Sequence, residues 1–153
     1  MPTDGCDDWR ESARSLQSLL AAAVDASGET RRTIAARSGI HKDALRRILA
    51  GTRPVAICEA MAILDASGSA PRTALILALT GRADRAADWH RTEILDFIEA
   101  FVVAFPHAIE AVLGERMHEI RPRWAKGAAH RTARLLAEHV DQQERQDAQS
   151  FAV

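Results

Sequence analysis

Apolar side chains recur along this chain at the three- and four-residue spacing of amphipathic helices, and glycines at 28, 51, 68 and 81 stand where successive runs should stop. The most informative stretch spans residues 30 to 51. Ile34 and Ala35 fall three to four residues before Ser38 and Gly39, so a short helix with a small inward residue runs into a turn. Gly39 can take the left-handed backbone that ends a helix in a sharp corner, and Ile40 behind it supplies an apolar anchor. Leu45, Ile48 and Leu49 then recur at helical spacing, which predicts a second short helix. His41, Lys42, Asp43, Arg46 and Arg47 lie wholly or partly outside its apolar stripe. One face packs, and the other is available to a partner.

Farther along, Trp89, Ile94, Leu95, Phe97, Ile98, Phe101, Val102 and Phe105 form a broad apolar face ahead of Pro106, which predicts a helix ending at that proline. A second helix is expected over residues 107 to 120, with Ile109, Val112, Leu113 and Met117 inward. A third follows Pro122 through Trp124, Leu135, Leu136 and Val140. The division expected is therefore a disordered start at residues 1 to 10, a first domain at 11 to 81 and a polar linker at 82 to 88. A C-terminal helical region at 89 to 142 and a frayed tail at 143 to 153 complete it.

Composition supports an all-α fold class. Alanine dominates the apolar fraction, aromatics make up 5% and tyrosine is absent, which suits close-packed helices better than a strand-rich core. With 47% hydrophobic and 27% charged residues over 153 positions, the chain is globular: one ordinary domain, or a small module with an extension. No apolar run approaches the roughly 20 residues that span a bilayer, and the opening residues are acidic, so the expectation is a cytoplasmic protein with no membrane partner. Cys6 and Cys58 stand far apart without metal-ligand spacing, which fits a reducing compartment, and Cys58 reads as a small core residue.

Charge sharpens the picture of residues 31 to 53. Arg31, Arg32, Arg37, Lys42, Arg46, Arg47 and Arg53 face the single acid Asp43, a local net of +6 in a chain whose net charge is −1. From residue 82 onward ten cations meet twelve acids. A local cationic block in a near-neutral chain can neutralise phosphates and orient the molecule on a duplex, where a solvated helix face would be the plain alternative.

Arg31, Ala35, Gly39, Ile40, Leu45, Ile48 and Gly51, followed by Thr52, Arg53, Pro54 and Val55 and the apolar stretch 56 to 66, resemble the lambda-repressor, Cro and XRE class of bacterial and phage helix-turn-helix regulators. The resemblance covers residues 12 to 80. It implies a five-helix domain with helices at 12 to 26, 30 to 38, 41 to 50, 55 to 66 and 71 to 79, the one at 41 to 50 lying in the DNA major groove. It also implies base contacts from His41, Lys42, Asp43, Arg46 and Arg47, and phosphate contacts from Thr30, Arg31, Thr52 and Arg53. Arg31 stands where many members carry glutamine, and a guanidinium can make that phosphate contact with a stronger salt dependence. Asp43 has a second reading, as an acid favoured in the first turn by the helix dipole. The segment from Ile34 to Leu45 is similar to the TetR reader as well, but the aromatic residues that type carries one turn later are absent.

Operators read by such modules are commonly two-fold, so the C-terminal half is expected to build a homodimer through Ile94, Phe97, Ile98, Phe101, Val102 and Phe105. The alternative is a protein-interaction module whose helix-turn-helix no longer reads DNA and whose C-terminal helices bind a partner protein. Glu115 and His118 have the spacing of one piece of a di-metal bundle, but a matching second pair and its companion acids are missing, so no metal and no cofactor are expected. No phosphate-binding glycine loop and no nucleophile-base arrangement stands in recognisable context, so no enzymatic activity is expected either.

Overall fold

Leu16, Leu19, Leu20, Ala23 and Val24 line one side of the first helix, α1 (Asp4–Ser27), and are buried there. That stripe is the surface on which most of the first hundred residues assemble. In the computed structural model, backbone is described for residues 4 to 90 and 92 to 150, and side chains for residues 10 to 149 except residue 91. The described residues form α-helices without strands: α1 is followed by α2 (Arg31–Ser38), α3 (Lys42–Leu49), α4 (Ile57–Ala66), α5 (Pro71–Leu79), α6 (Ala83–Asp88), α7 (Ile94–Leu113) and α8 (Ala125–Ser150). Two short 3-10 segments, Gly114–Glu119 and Pro122–Trp124, lie between α7 and α8. The chain divides into two units, residues 1 to 105 and residues 106 to 153.

In the first unit α3, α4, α5 and α6 pack on α1, while α2 packs on α3 and α4. Leu20, Ile34, Leu45, Ile48, Ile63 and Leu64 are fully buried in the shared core. Each contributes roughly 1.5 to 3 kcal/mol by leaving water. Alanines at 23, 35, 60, 74 and 78 are buried among them and let the helix axes approach closely. Ser67 and Ser69 are buried polar residues; the Ser67 hydroxyl donates to the Ile63 carbonyl at 2.8 Å, and the Ser69 N–H donates to Leu64, so the corner between α4 and α5 leaves these groups satisfied.

Several expected boundaries differ. The first helix reaches back to Asp4 rather than starting at residue 12, so the expected disordered start holds helix from residue 4 onward, and residues 1 to 3 lie outside the described residues. The expected linker at 82 to 88 holds α6, which packs on α1 and α5 with Ala86 buried. Its outer side carries Arg85 between Asp84 and Asp88, 3.7 and 3.8 Å away, and those charges gave the segment its linker-like pattern. Cys58 is exposed, because Ala60, Ile63 and Leu64 take the inward positions of α4.

Pro106 does not end a helix. α7 runs through it to Leu113, so two long helices stand where three were expected. Proline removes one hydrogen bond and orphans the carbonyl four residues earlier, at Val102; Val102 and Phe105 are about half exposed, so water can bond what the helix loses. Contrary to the expectation that no apolar run approaches membrane-spanning length, the stretch Ile94–Glu119 is by length and composition long and apolar enough to cross a membrane. Its first turns are nevertheless committed to protein. Leu95 is buried and Glu99 meets Arg72 of α5 at 2.7 Å.

In the second unit no described residue is buried, and only Ile109, Leu113 and Thr132 are partly covered. α8 continues through Ser150, so residues 143 to 150 are helix rather than frayed tail; residues 151 to 153 lie outside the described residues.

The core makes a direct prediction. Ile34→Ala should cost about 2 to 5 kcal/mol in urea unfolding, with the loss reduced only where neighbours collapse into the space. Gly39, at φ 69°, has open space around its missing Cβ, so Gly39→Ala should cost about 1 kcal/mol through backbone strain alone.

Candidate nucleic-acid interface

α2 and α3 are two eight-residue helices joined at Gly39 and Ile40. Thr30 caps α2: its hydroxyl accepts from the Thr33 N–H at 3.1 Å. That bond, with the Ile34 N–H on the Thr30 carbonyl at 3.0 Å, satisfies the inner part of the first turn. The Arg31 and Arg32 amides stand at the outer, positive end of the helix, beside two exposed guanidinium side chains. Gly39 closes the helix in the left-handed conformation, and the Ile40 N–H returns to the Ala35 carbonyl at 3.2 Å.

His41 caps α3, and its Nδ1 accepts from the Asp43 N–H at 3.3 Å. An imidazole in this role must keep a free lone pair on Nδ1. The Asp43 carboxylate lies 3.8 Å from the same ring, so His41 and Asp43 work on each other at the head of the helix. Lys42, Arg46 and Arg47 are exposed, whereas Leu45 and Ile48 on the opposite side are buried. Arg46 and Arg31, fifteen positions apart, line one recess with Asp25 of α1. The fold therefore brings the head of α2 beside the outer face of α3.

Not every cation in the block is available. Arg37 pairs with Glu29 at 3.4 Å. Arg53 is one-third exposed and donates to Glu59 at 2.8 Å. The second Glu59 oxygen accepts from the Ala56 N–H at 3.1 Å, capping α4. Thr52 donates its hydroxyl to the Arg47 carbonyl at 3.2 Å and so helps finish α3. Of the residues expected to touch phosphate, Thr30, Thr52 and Arg53 thus hold the local backbone, and Arg31 keeps its charge outward. Among the described residues, Arg31, Arg32, Lys42, Arg46 and Arg47 have no ion-pair partner.

Gln17, Glu29 and Glu59 matter here and were not singled out in the sequence. The Gln17 amide donates to the Leu49 carbonyl at 3.4 Å, tying the end of α3 to α1. A Cβ at Gly51 would sit 2.5 Å from that same amide, so Gly51 both turns the chain at φ 72° and makes room for Gln17. The capping-box spacing of Glu59, three residues into α4, was the one local signal that could have found any of them. Elsewhere, among the described residues, no three His, Cys, Asp or Glu side chains gather as a metal site.

No family model matches this chain, and comparison with curated proteins and with solved structures returned no match.

The backbone bond from Ala56, aided by the Arg53 guanidinium, holds the Glu59 carboxyl below the usual carboxylate range. A depressed folded-state value stabilises the fold above the unfolded value and loses that contribution as pH falls through the folded one. Urea unfolding of Glu59→Gln should therefore show its deficit at neutral pH, and the deficit should shrink as the solution is acidified below the ordinary glutamate range.

Proposed function

We propose that this chain is a sequence-specific double-stranded DNA-binding transcriptional regulator of the lambda-repressor, Cro and XRE type, acting as a homodimer on cytoplasmic, nucleoid-associated DNA. The observation that carries the reading is the unpaired cationic surface over a packed corner. Arg31, Arg32, Lys42, Arg46 and Arg47 are exposed and without an ion pair among the described residues, while Ile34, Ala35, Leu45 and Ile48 fix the two helices beneath them. An α-helix of this width fits the major groove, where Arg47 and Arg46 can bind guanine through two hydrogen bonds and Lys42 can reach a base acceptor. Arg31 and the amides at the head of α2 hold a phosphate and set the register. His41 and Asp43, already engaged with each other, flank these readers and limit how the side chains at the start of α3 are presented.

A second reading draws on a different observation. Phe97, Phe101 and Phe105 stack in sequence along α7, with ring centroids 6.2 and 5.4 Å apart, and remain about 40% exposed or more. An aromatic ridge of this kind buries readily against another protein. In the DNA-binding reading the ridge, with Ile94, Ile98 and Val102, joins two protomers; in a pure interaction module it holds an unlike partner.

Selection of genomic fragments by the full-length protein separates the two. The wild type should enrich a two-fold motif, and Arg47→Ala should cost about 1 to 3 kcal/mol on that motif while relaxing the preference at one base position. Arg31→Ala should weaken all duplexes alike and reduce the salt slope by about 1. Equal fragment profiles for the wild type and an Arg46→Ala, Arg47→Ala double variant would sink operator reading and favour the interaction module.

A further inference from the structure

We infer that α8 is an antiparallel pairing helix whose partner is the α8 of a second copy of this chain. This rests on the homodimer reading above and adds to the α7 ridge a second seam, on α8, with a defined direction. The starting point is a helix of 26 residues, about 39 Å long, in a unit with no buried residue among those described. Leu135, Leu136 and Val140 are 66%, 37% and 54% exposed near its middle. Alanines at 125, 128 and 129 extend the same side toward the N-terminus and permit a close helix approach.

Charge decides what fits there. The first half of α8 carries Lys126, Arg131 and Arg134 without an acid, and the second half carries Glu138, Asp141, Glu144 and Asp147 with Arg145. Among the described residues, Lys126, Arg131, Glu138 and Glu144 have no ion-pair partner. This order is the reverse of what one helix favours, since cations sit near the positive end of the dipole and acids near the negative end. A neighbour running the same way repeats the conflict. A neighbour running the opposite way resolves it, by setting each basic half beside an acidic half and the two dipoles head to tail.

The spacing supplies a register. Lys126 and Glu144 are eighteen residues apart, about five helical turns, and so share one edge; Arg131 and Glu138 are seven apart, about two turns, and share the other. Both pairs are centred close to Leu135. In an antiparallel pair crossing at Leu135 and Leu136, Lys126 meets the second copy's Glu144 and Arg131 meets its Glu138, each contact occurring twice by symmetry. Thr132, the one partly covered residue of α8, faces His139 of the other copy in the same register.

Disulfide mapping on the full-length chain tests this without DNA, in a Cys6→Ser, Cys58→Ser background. Ala128→Cys and Gln143→Cys lie on opposite sides of the crossing. Each variant alone places its two thiols about 20 Å apart along the pair, beyond the roughly 7 Å that a disulfide can bridge. The expected result is cross-linked dimer only when the two variants are mixed. Sedimentation should also show Lys126→Glu, Arg131→Glu weakening the dimer about tenfold, and adding Glu138→Lys, Glu144→Lys to the same chain restoring it. Self-cross-linking of either single variant would mean a parallel pair and overturn the inference. So would a monomer, or a dimer that cross-links in no combination. Loss of operator selection with mixed-only cross-linking intact would refute DNA reading and leave this pairing standing.

Discussion

The apolar stripe of α1 is the constraint on which the first unit depends. Leu16, Leu19, Leu20, Ala23 and Val24 can leave water only if four short helices close over them, and none of those helices is long enough to hold itself together in water. Once α3 has committed Leu45 and Ile48 to that core, its remaining surface is fixed as well. Arg46 and Arg47 must point away from it, at positions set by the helical period. The chemistry of the outer face is thus a consequence of what the inner face buries.

Around that constraint the acids are placed selectively. Glu29 and Glu59 take up Arg37 and Arg53, and Glu59 also finishes the start of α4. Within residues 31 to 53, the described cations without an ion pair are those at the head of α2 and along α3. Exposed ion pairs add little stability, so the value of these two lies in positioning more than in energy. Gln17 bonded to Leu49 ties the end of α3 to α1, and Arg53 ordered against Glu59 ties the following turn to α4.

The second unit obeys a different rule. Its helices are regular, yet none of its described residues is buried, and Val112, Leu135 and Val140 are more than half exposed. In the pairing inferred above, the separation of positive from negative charge along α8 selects the direction in which a second copy approaches.

Local periodicity and turn chemistry determined much by themselves. The corner at Gly39, the burial of Ile34, Ala35, Leu45 and Ile48, the exposure of Lys42, Arg46 and Arg47, and the all-helical character were legible because each depends on residues within one or two turns of one another. Only tertiary structure decided the rest. Ala86 is buried because α1 and α5 lie beside it, and no pattern within residues 82 to 88 carries that fact. Cys58 is exposed because its neighbours on α4 hold the inward positions. Pro106 lies inside a helix where Val102 and Phe105 are about half exposed, and that exposure is set by what packs nearby. Gln17, thirty-two residues from Leu49, entered the site for the same reason: sequence fixes which face of a helix is apolar, but the neighbour that meets that face belongs to the whole fold.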